Sequence, residues 1–256
     1  MYTNFSIHKG EIIKMSKIGN RIFTKFERAD KELVEAFRGI PSSNTNDEMN
    51  RLFCMNENMR LINPKPGKSM VGTAFTVKAP IGDNLYLHYA LDMAQPGDII
   101  VVDGGGYANR SFCGEIMMRF AQSKGIAGVV IDGCIRDSDG MKKLDMPVYA
   151  AGVTPQGPFK NGPGEIGTPV SCGGQVVFPG DILVGDEDGI TVVHKQDARE
   201  VLAASQVKKG GEDRTFELMA SDLAAYAKKH EASTEQRANG KGIEFVGEVY
   251  TKAYDL

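Results

Sequence analysis

An α/β fold, with a mixed β core flanked by helices, is predicted by three features of this chain. Apolar, β-branched runs such as VGTAFTV at 71–77 and GVVI at 128–131 have the length and composition of buried strands. Between them lie segments with apolar residues at helical spacing, opened by Asp or Asn and closed by Gly. The two kinds of segment mix without a strict strand–helix–strand repeat. The glycine run at 104–106 is not G-x-G-x-x-G, so a dinucleotide-binding sheet is not expected.

In chain order, residues 1–16 show no periodicity and read as an N-terminal extension, with Met15 an alternative start. Residues 17–230 read as the folded domain and 231–256 as a C-terminal tail. Ile18, Ile22, Phe23, Phe26, Leu33, Val34 and Phe37 recur at helical spacing and predict a helix over 17–37. The segment IPSSNTNDEMNRLF at 40–53 offers capping residues before a short helix. NPKPGKSM reads as a turn, followed by a strand over 71–80. Asp83 or Asn84 can cap a helix from Leu85 onward. QPGDIIVVDGGG predicts turn, strand and glycine loop, then a helix over 114–124 that stops at Gly125. GVVID is the next strand, DGMKKLD a short helix or turn, and MPVYAAG another strand.

Residues 152–175, rich in Gly and Pro, predict a long loop or short strands with tight turns. Strands separated by glycine turns follow over 176–194, and then a helical pattern over 197–227, interrupted at KKGGED. GIEFVGEVY at 242–250 has the look of a late strand. PGDIIVVD at 96–103 is echoed by PGDILVGD at 179–186, as two similar turns or as two strand ends that deliver acids to related places.

The net charge of −3 argues against a nucleic-acid binder, and no apolar run reaches the length of a membrane span. The first fifteen residues lack the apolar core of a secretory signal, so the expected location is the cytoplasm. Cys54, Cys113, Cys134 and Cys172 have neither C-x-x-C nor zinc-ligand spacing and read as reduced, structural thiols.

The chemistry concentrates in EIMMRFAQSKGIAGVVIDGCIRD, residues 115–137. A helix start exposes unpaired N–H groups with partial positive charge. The amides of Ile116 and Met117, next to Gly114, are therefore placed to hold a carboxylate or phosphate, with glycines 104–106 leaving room for it. Arg136 ends an apolar strand, where ligands of α/β proteins collect, and a guanidinium grips a carboxylate through two parallel bonds. Asp137 beside it can reach a hard cation such as Mg²⁺ (or Mn²⁺), and Glu115 can orient a metal-bound water. Taken singly, each has a plainer reading. Arg136 could pair with Asp132 or Asp139, Asp137 could form a turn, and Glu115 could complement the helix dipole. Lys124 and Lys142 flank the motif on solvated helix faces, so no Schiff-base lysine is expected.

An acidic residue, a spacer over 116–135, and then Arg-Asp resemble the motif of the RraA-like family, which includes the class II 4-hydroxy-4-methyl-2-oxoglutarate aldolases. VGTAFTV at 71–77, GDNL at 82–85, PGDIIVVDGGG at 96–106, GVVIDGCIRD at 128–137, PV at 147–148 and PGDILVGDEDGITVV at 179–193 carry the likeness across roughly residues 20–210. The resemblance implies a fold like that of the phosphohistidine swivelling domains and a homo-oligomer, trimer or hexamer. It implies a metal-dependent lyase that releases pyruvate from a 4-hydroxy-2-oxo acid, with oxaloacetate decarboxylase activity. Arg136 would bind the pyruvyl carboxylate, Gly114, Ile116 and Met117 would line the same seat, Asp137 would serve the Mg²⁺ shell, and Glu115 would orient water. An acid from a neighbouring subunit's C-terminal region is also implied. Glu212 is the candidate, with Asp213 and Glu217 as competitors. The chain departs from the pattern in two places: relatives often have Asp where it has Glu115, and many have an acid where it has Gly140. The resemblance implies a second role too, since some relatives bind and inhibit an RNA-degrading endonuclease.

Overall fold

The computed structural model describes residues 5–8, 11–14 and 17–243. The chain divides into two units, residues 1–206 and 207–256. In the first, β1 (Phe5–His8) and β2 (Glu11–Lys14) form an antiparallel hairpin.

The segment 17–37, where a helix was expected, is mostly irregular chain with a short strand. Gly19, at φ 81°, turns the backbone, and its N–H and the Arg21 guanidinium both donate to the Glu165 carboxylate. β3 (Asn20–Ile22) is thereby laid parallel to a short later strand, β9 (Gly164–Ile166). Phe26 meets Phe75 edge-on at 5.7 Å, and Arg28 grips the buried Asp98 with two bonds of 2.8 Å. Tertiary partners claim these residues one by one, which overrides their helical spacing. Only α1 (Lys31–Glu35) is helical. The polar residues expected to cap a helix form one themselves, α2 (Ser42–Asp47), because Asp186 accepts from both the N–H and the hydroxyl of Ser42.

Beyond the short β4 (Arg60–Leu61) comes the centre of the main sheet. β5 (Met70–Lys78), α3 (Leu85–Met93), β6 (Asp98–Ser111), α4 (Glu115–Ser123), β7 (Gly128–Ile135), α5 (Ser138–Met141) and β8 (Val148–Val153) follow in order. Their four strands are adjacent and parallel. A strand–helix–strand repeat therefore does exist at the centre, disguised in the sequence by a four-residue α5 and a 14-residue β6. The sheet is mixed because antiparallel strands flank that centre. β9 and β12 (Ile182–Asp186) pair with β5, β13 (Gly189–Val193) with β12, and β4 with β8. β10 (Val170–Cys172) and β11 (Gln175–Val177) form a separate hairpin.

Period-two alternation gives the sheet two apolar faces. Phe75, Val77, Ile100, Val102, Val129 and Ile131 pack against Leu87, Met118 and Met141 from the three crossover helices. Ala74, Ile99, Val101, Val130 and Tyr149 pack against Met55, Met59 and the β10–β11 hairpin. Full burial of each such side chain is worth about 1.5–3 kcal/mol, so this double-faced core holds the strand ends in place.

α6 (Ala198–Ser221) runs unbroken through KKGGED, where an interruption was expected. An i,i+4 ion pair between Lys209 and Asp213 (2.7 Å) and a Thr215 hydroxyl bond to the Gly211 carbonyl (2.9 Å) accompany that turn. α7 (Leu223–Ala238) starts at Asp222, whose carboxylate accepts from the Ala225 N–H, and it extends into the stretch read as tail. Most of the late strand expected at 242–250 lies outside the described residues.

Candidate active site

The site forms where β7 ends against the start of α4. Arg136 donates its N–H to the Cys113 carbonyl at 3.0 Å, which ties the exit of β7 to the residue before the N-cap of α4, Gly114. Asp137 is in the left-handed region (φ 59°, ψ 43°), a conformation that Asp tolerates better than most residues. That twist turns its carboxylate back, and its Oδ2 accepts from the Glu115 N–H at 3.1 Å and lies 3.6 Å from Arg136 Nε. One of the unpaired amides of the helix start is thus taken by Asp137. Those of Ile116 and Met117, the next two, have no i−4 partner inside the helix.

Arg136 and Asp137 stand between two hollows. The first, of about 310 Å³, is lined by Gly114, Ile116, Met117 and Arg136, and also by Asn84, His88 and Lys160. Its lining suits an anion, an anion seat in form: two cations and a helix start, with Asp137 the only carboxylate in the lining among the described residues. Burial, and then the charge of Lys160, hold the His88 imidazole below its ordinary range, which favours its neutral form. Its Nε2 and the Oδ1 of Asn84 are buried without hydrogen-bond partners among the described residues. Cys113 in the same wall is inert, because burial pushes its thiol up to about 12.

The second hollow, of about 540 Å³, is lined by Glu115, Asp137, Asp139 and Gly140 along with Arg136. Glu115 therefore faces away from the amides of its own helix turn. Its Oε1 accepts from Arg119 at 2.6–2.7 Å. Asp137 and Glu115 offer oxygen donors on this side, the kind a hard divalent ion takes one or two of while keeping several waters. Among the described residues no three His, Cys, Asp or Glu side chains converge on one point, so a divalent ion on this side would rest on one or two carboxylates and complete its shell with water.

Arg136 engages Asp137 and neither Asp132 nor Asp139 in an ion pair among the described residues. The glycine corner needs correcting. Gly104, Gly105 and Gly106 form a bulge inside β6, where the register jumps from Asp103↔Asp132 to Tyr107↔Gly133. A side chain at Gly104 would strike the Asp132 carbonyl and the Phe112 ring, so this corner packs against those groups and takes no part in either hollow. The glycine that lets groups close in at the helix mouth is Gly114. Lys124 donates to the carbonyls of Leu91 and Asp92, at the end of α3. Glu212 lies on α6, in the 207–256 unit.

The echoed PGD turns match in a plain way. Asp98 accepts from the Gln95 N–H, three residues back, and Asp181 likewise from the Phe178 N–H. Three residues of the anion seat were outside the expected set. Asn84 carried a signal as a potential helix cap, and His88 lies one helical turn further on the same face. Lys160, in a Gly- and Pro-rich loop, has no local signal. All four cysteines are free thiols, and no helix among the described residues is long and apolar enough to cross a membrane.

A family model for RraA-like proteins (Aldolase/RraA) matches residues 42–192, more than half of the chain. A protein of Halalkalibacterium halodurans, provisionally named a 4-hydroxy-4-methyl-2-oxoglutarate aldolase, is 36% identical over 206 residues, 79% of this chain and 97% of that one. The crystal structure of an uncharacterized protein from Pseudomonas syringae superposes with a TM-score of 0.68 at 26% identity, covering 77% of this chain and 96% of that one. RraAS2 of Streptomyces coelicolor, called an unusual member of the RNase ES inhibitor RraA family, superposes with a TM-score of 0.67 at 28% identity, covering 75% and 98%. By the matched model, the close relative and the shared mixed sheet, the chain belongs to the RraA-like family.

Proposed function

We propose that this chain is a divalent-metal-dependent carbon–carbon lyase of the cytoplasm. It cleaves a 4-hydroxy-2-oxo acid of the 4-hydroxy-4-methyl-2-oxoglutarate type to pyruvate and decarboxylates oxaloacetate at the same site. The observation that carries this reading is the Arg136–Asp137 pair, set between a cation-lined hollow at a helix mouth and an acid-lined one. The relative from Halalkalibacterium halodurans supports the reaction class.

Arg136 and the amides of Ile116 and Met117 hold the substrate's 2-oxo carboxylate in the first hollow. Asp137 would hold Mg²⁺ or Mn²⁺ from the second, with Glu115 beside it to orient water, and the ion when bound would supply Lewis-acid stabilisation of the developing negative charge. As the C3–C4 bond breaks, the C4 hydroxyl gives its proton to solvent water and becomes the carbonyl of the second product, while the bond's electron pair stays on the pyruvyl fragment as the enolate, whose growing charge Arg136 stabilises. Glu115 orients the water that returns a proton to C3. Loss of CO₂ from oxaloacetate develops the same charge in the same place, so the same residues serve both reactions. A trimer or hexamer, with Glu212 contributed by a neighbouring subunit, completes the acid side.

A panel of 2-oxo acids with Mg²⁺ or Mn²⁺, coupled to pyruvate detection, tests this. Pyruvate release is expected, along with its loss in excess EDTA; full activity in EDTA overturns the metal requirement. Arg136→Lys keeps the charge and loses the planar fork, which should lower kcat/KM by roughly 10- to 150-fold for about 1.5–3 kcal/mol. The likeness to RraAS2 favours a second reading, inhibition of an RNA-degrading endonuclease through the protein's surface. Inhibition of RNA cleavage that persists in Arg136→Lys would support it.

A further inference from the structure

We infer that Gly140 is a positioning residue: the space that a side chain there would fill is the seat of the Glu115 carboxylate. The inference rests on the lyase reading for its kinetic consequence, but its geometry stands apart. A Cβ built on Gly140 falls 1.9 Å from Glu115 Oε2, 2.2 Å from its Cδ and 2.7 Å from its Cγ. No real contact is that short, so Glu115 cannot keep this position beside any side chain at 140. The φ of Gly140 is not in the left-handed region, so backbone conformation does not call for glycine here. Space does.

The seat is defined on both sides. Arg119, one turn along α4, holds Oε1, while Oε2 lies over the bare backbone of α5. α5 starts just after Asp137, whose backbone carbonyl accepts from the Gly140 and Met141 N–H groups, so the carboxylate of Glu115 rests on the short helix that follows Asp137. A shorter acid at 115 would not extend as far over residue 140. The long Glu115 and the missing side chain at 140 are therefore a matched pair. Together they bring an acid from α4 to the α5 side of the Arg136–Asp137 ridge, the side opposite the anion seat.

Gly140→Ala tests this cleanly, because the atoms it displaces are the far end of a flexible side chain and the fold should tolerate it. Thermal melting should stay near that of the parent protein. With oxaloacetate, kcat should fall to the level of Glu115→Gln, about 10²-fold, while KM moves less than about threefold because Arg136 and the α4 amides are untouched. The double variant Glu115→Gln/Gly140→Ala should be no worse than either single one, the non-additivity expected of a shared function. A parent-like kcat in Gly140→Ala, or losses that multiply in the double variant, would overturn the pairing. A crystal structure of Gly140→Ala reads the seat without activity. Glu115 swung away from α5 supports the inference, and Glu115 still over residue 140 overturns it. Should the parent protein release no pyruvate, the lyase reading fails while this structural comparison still decides the seat.

Discussion

Replacing Gly114 by Ala should disable Asp137 without unfolding the protein. Gly114 has φ −138° and ψ −175°, ordinary extended backbone that alanine adopts freely, so the cost comes from space alone. The added Cβ would stand 2.2 Å from Asp137 Oδ2, about 1.2 Å inside the 3.4 Å at which ordinary contact begins, and 3.1 Å from Arg136 Nε. The Asp137 carboxylate must swing out, which breaks its 3.1 Å bond from the Glu115 N–H. A hydrogen bond to a charged group is worth about 1.5–3 kcal/mol, and partial exposure at this helix mouth puts the loss near the lower end. Melting should drop by about 3–6 °C, since 1 kcal/mol moves a domain of this size by about 2–4 °C. A displacement of about 1 Å in the group meant to serve the metal should cost on the order of 10²-fold in kcat/KM. Differential scanning fluorimetry and coupled pyruvate release, run across a Mg²⁺ titration, measure both effects. A variant with parent-like turnover and unchanged Mg²⁺ dependence would refute the proposed role of Asp137.

Two further outcomes follow from the fold. Arg28→Met should cost about 2–4 kcal/mol in urea denaturation, because it strands the 1% exposed Asp98 without its bidentate partner; a loss under about 1 kcal/mol would show that the pair does not anchor the 20–30 segment. His88 is held below its ordinary pKa of 6.5, so the unfolded chain binds the proton more readily than the folded one. The stability tied to neutral His88 is therefore present above pH 6.5 and is lost as pH falls through its lower folded value. The stability gap between parent and His88→Gln should shift against the parent between pH 7.5 and 5, and a gap independent of pH would contradict the assignment.

Legibility in the sequence tracked how local each feature is. The strands β5, β7 and β8 are continuous apolar runs, and α4 shows both its start and its Gly125 stop, so pattern alone locates them. Arg136 and Asp137 were visible as chemistry because strand ends in α/β sheets collect ligands. The helix expected over 17–37 gives way because Ile22 and Phe26 pack onto core residues of distant strands while Ile18 and Phe23 stay exposed, and nothing in their spacing records that. The glycine run at 104–106 resembled a ligand loop, yet it is a bulge, since a run of glycines permits either and the register of β7 decides.

By itself the amino-acid order settles which segments are the buried strands, the family motif and the identity of the residues able to do chemistry, because those depend on side-chain type and short-range period. The tertiary structure alone settles that the central strands run parallel, and which of those residues share a hollow. It brings Asn84, His88 and Lys160 to the Arg136 side, and sends Glu115 across to Gly140. The physical reason is that close approach is a property of backbone paths far apart in the chain, and a Cβ that would clash at 2 Å leaves no trace in the local pattern on either side.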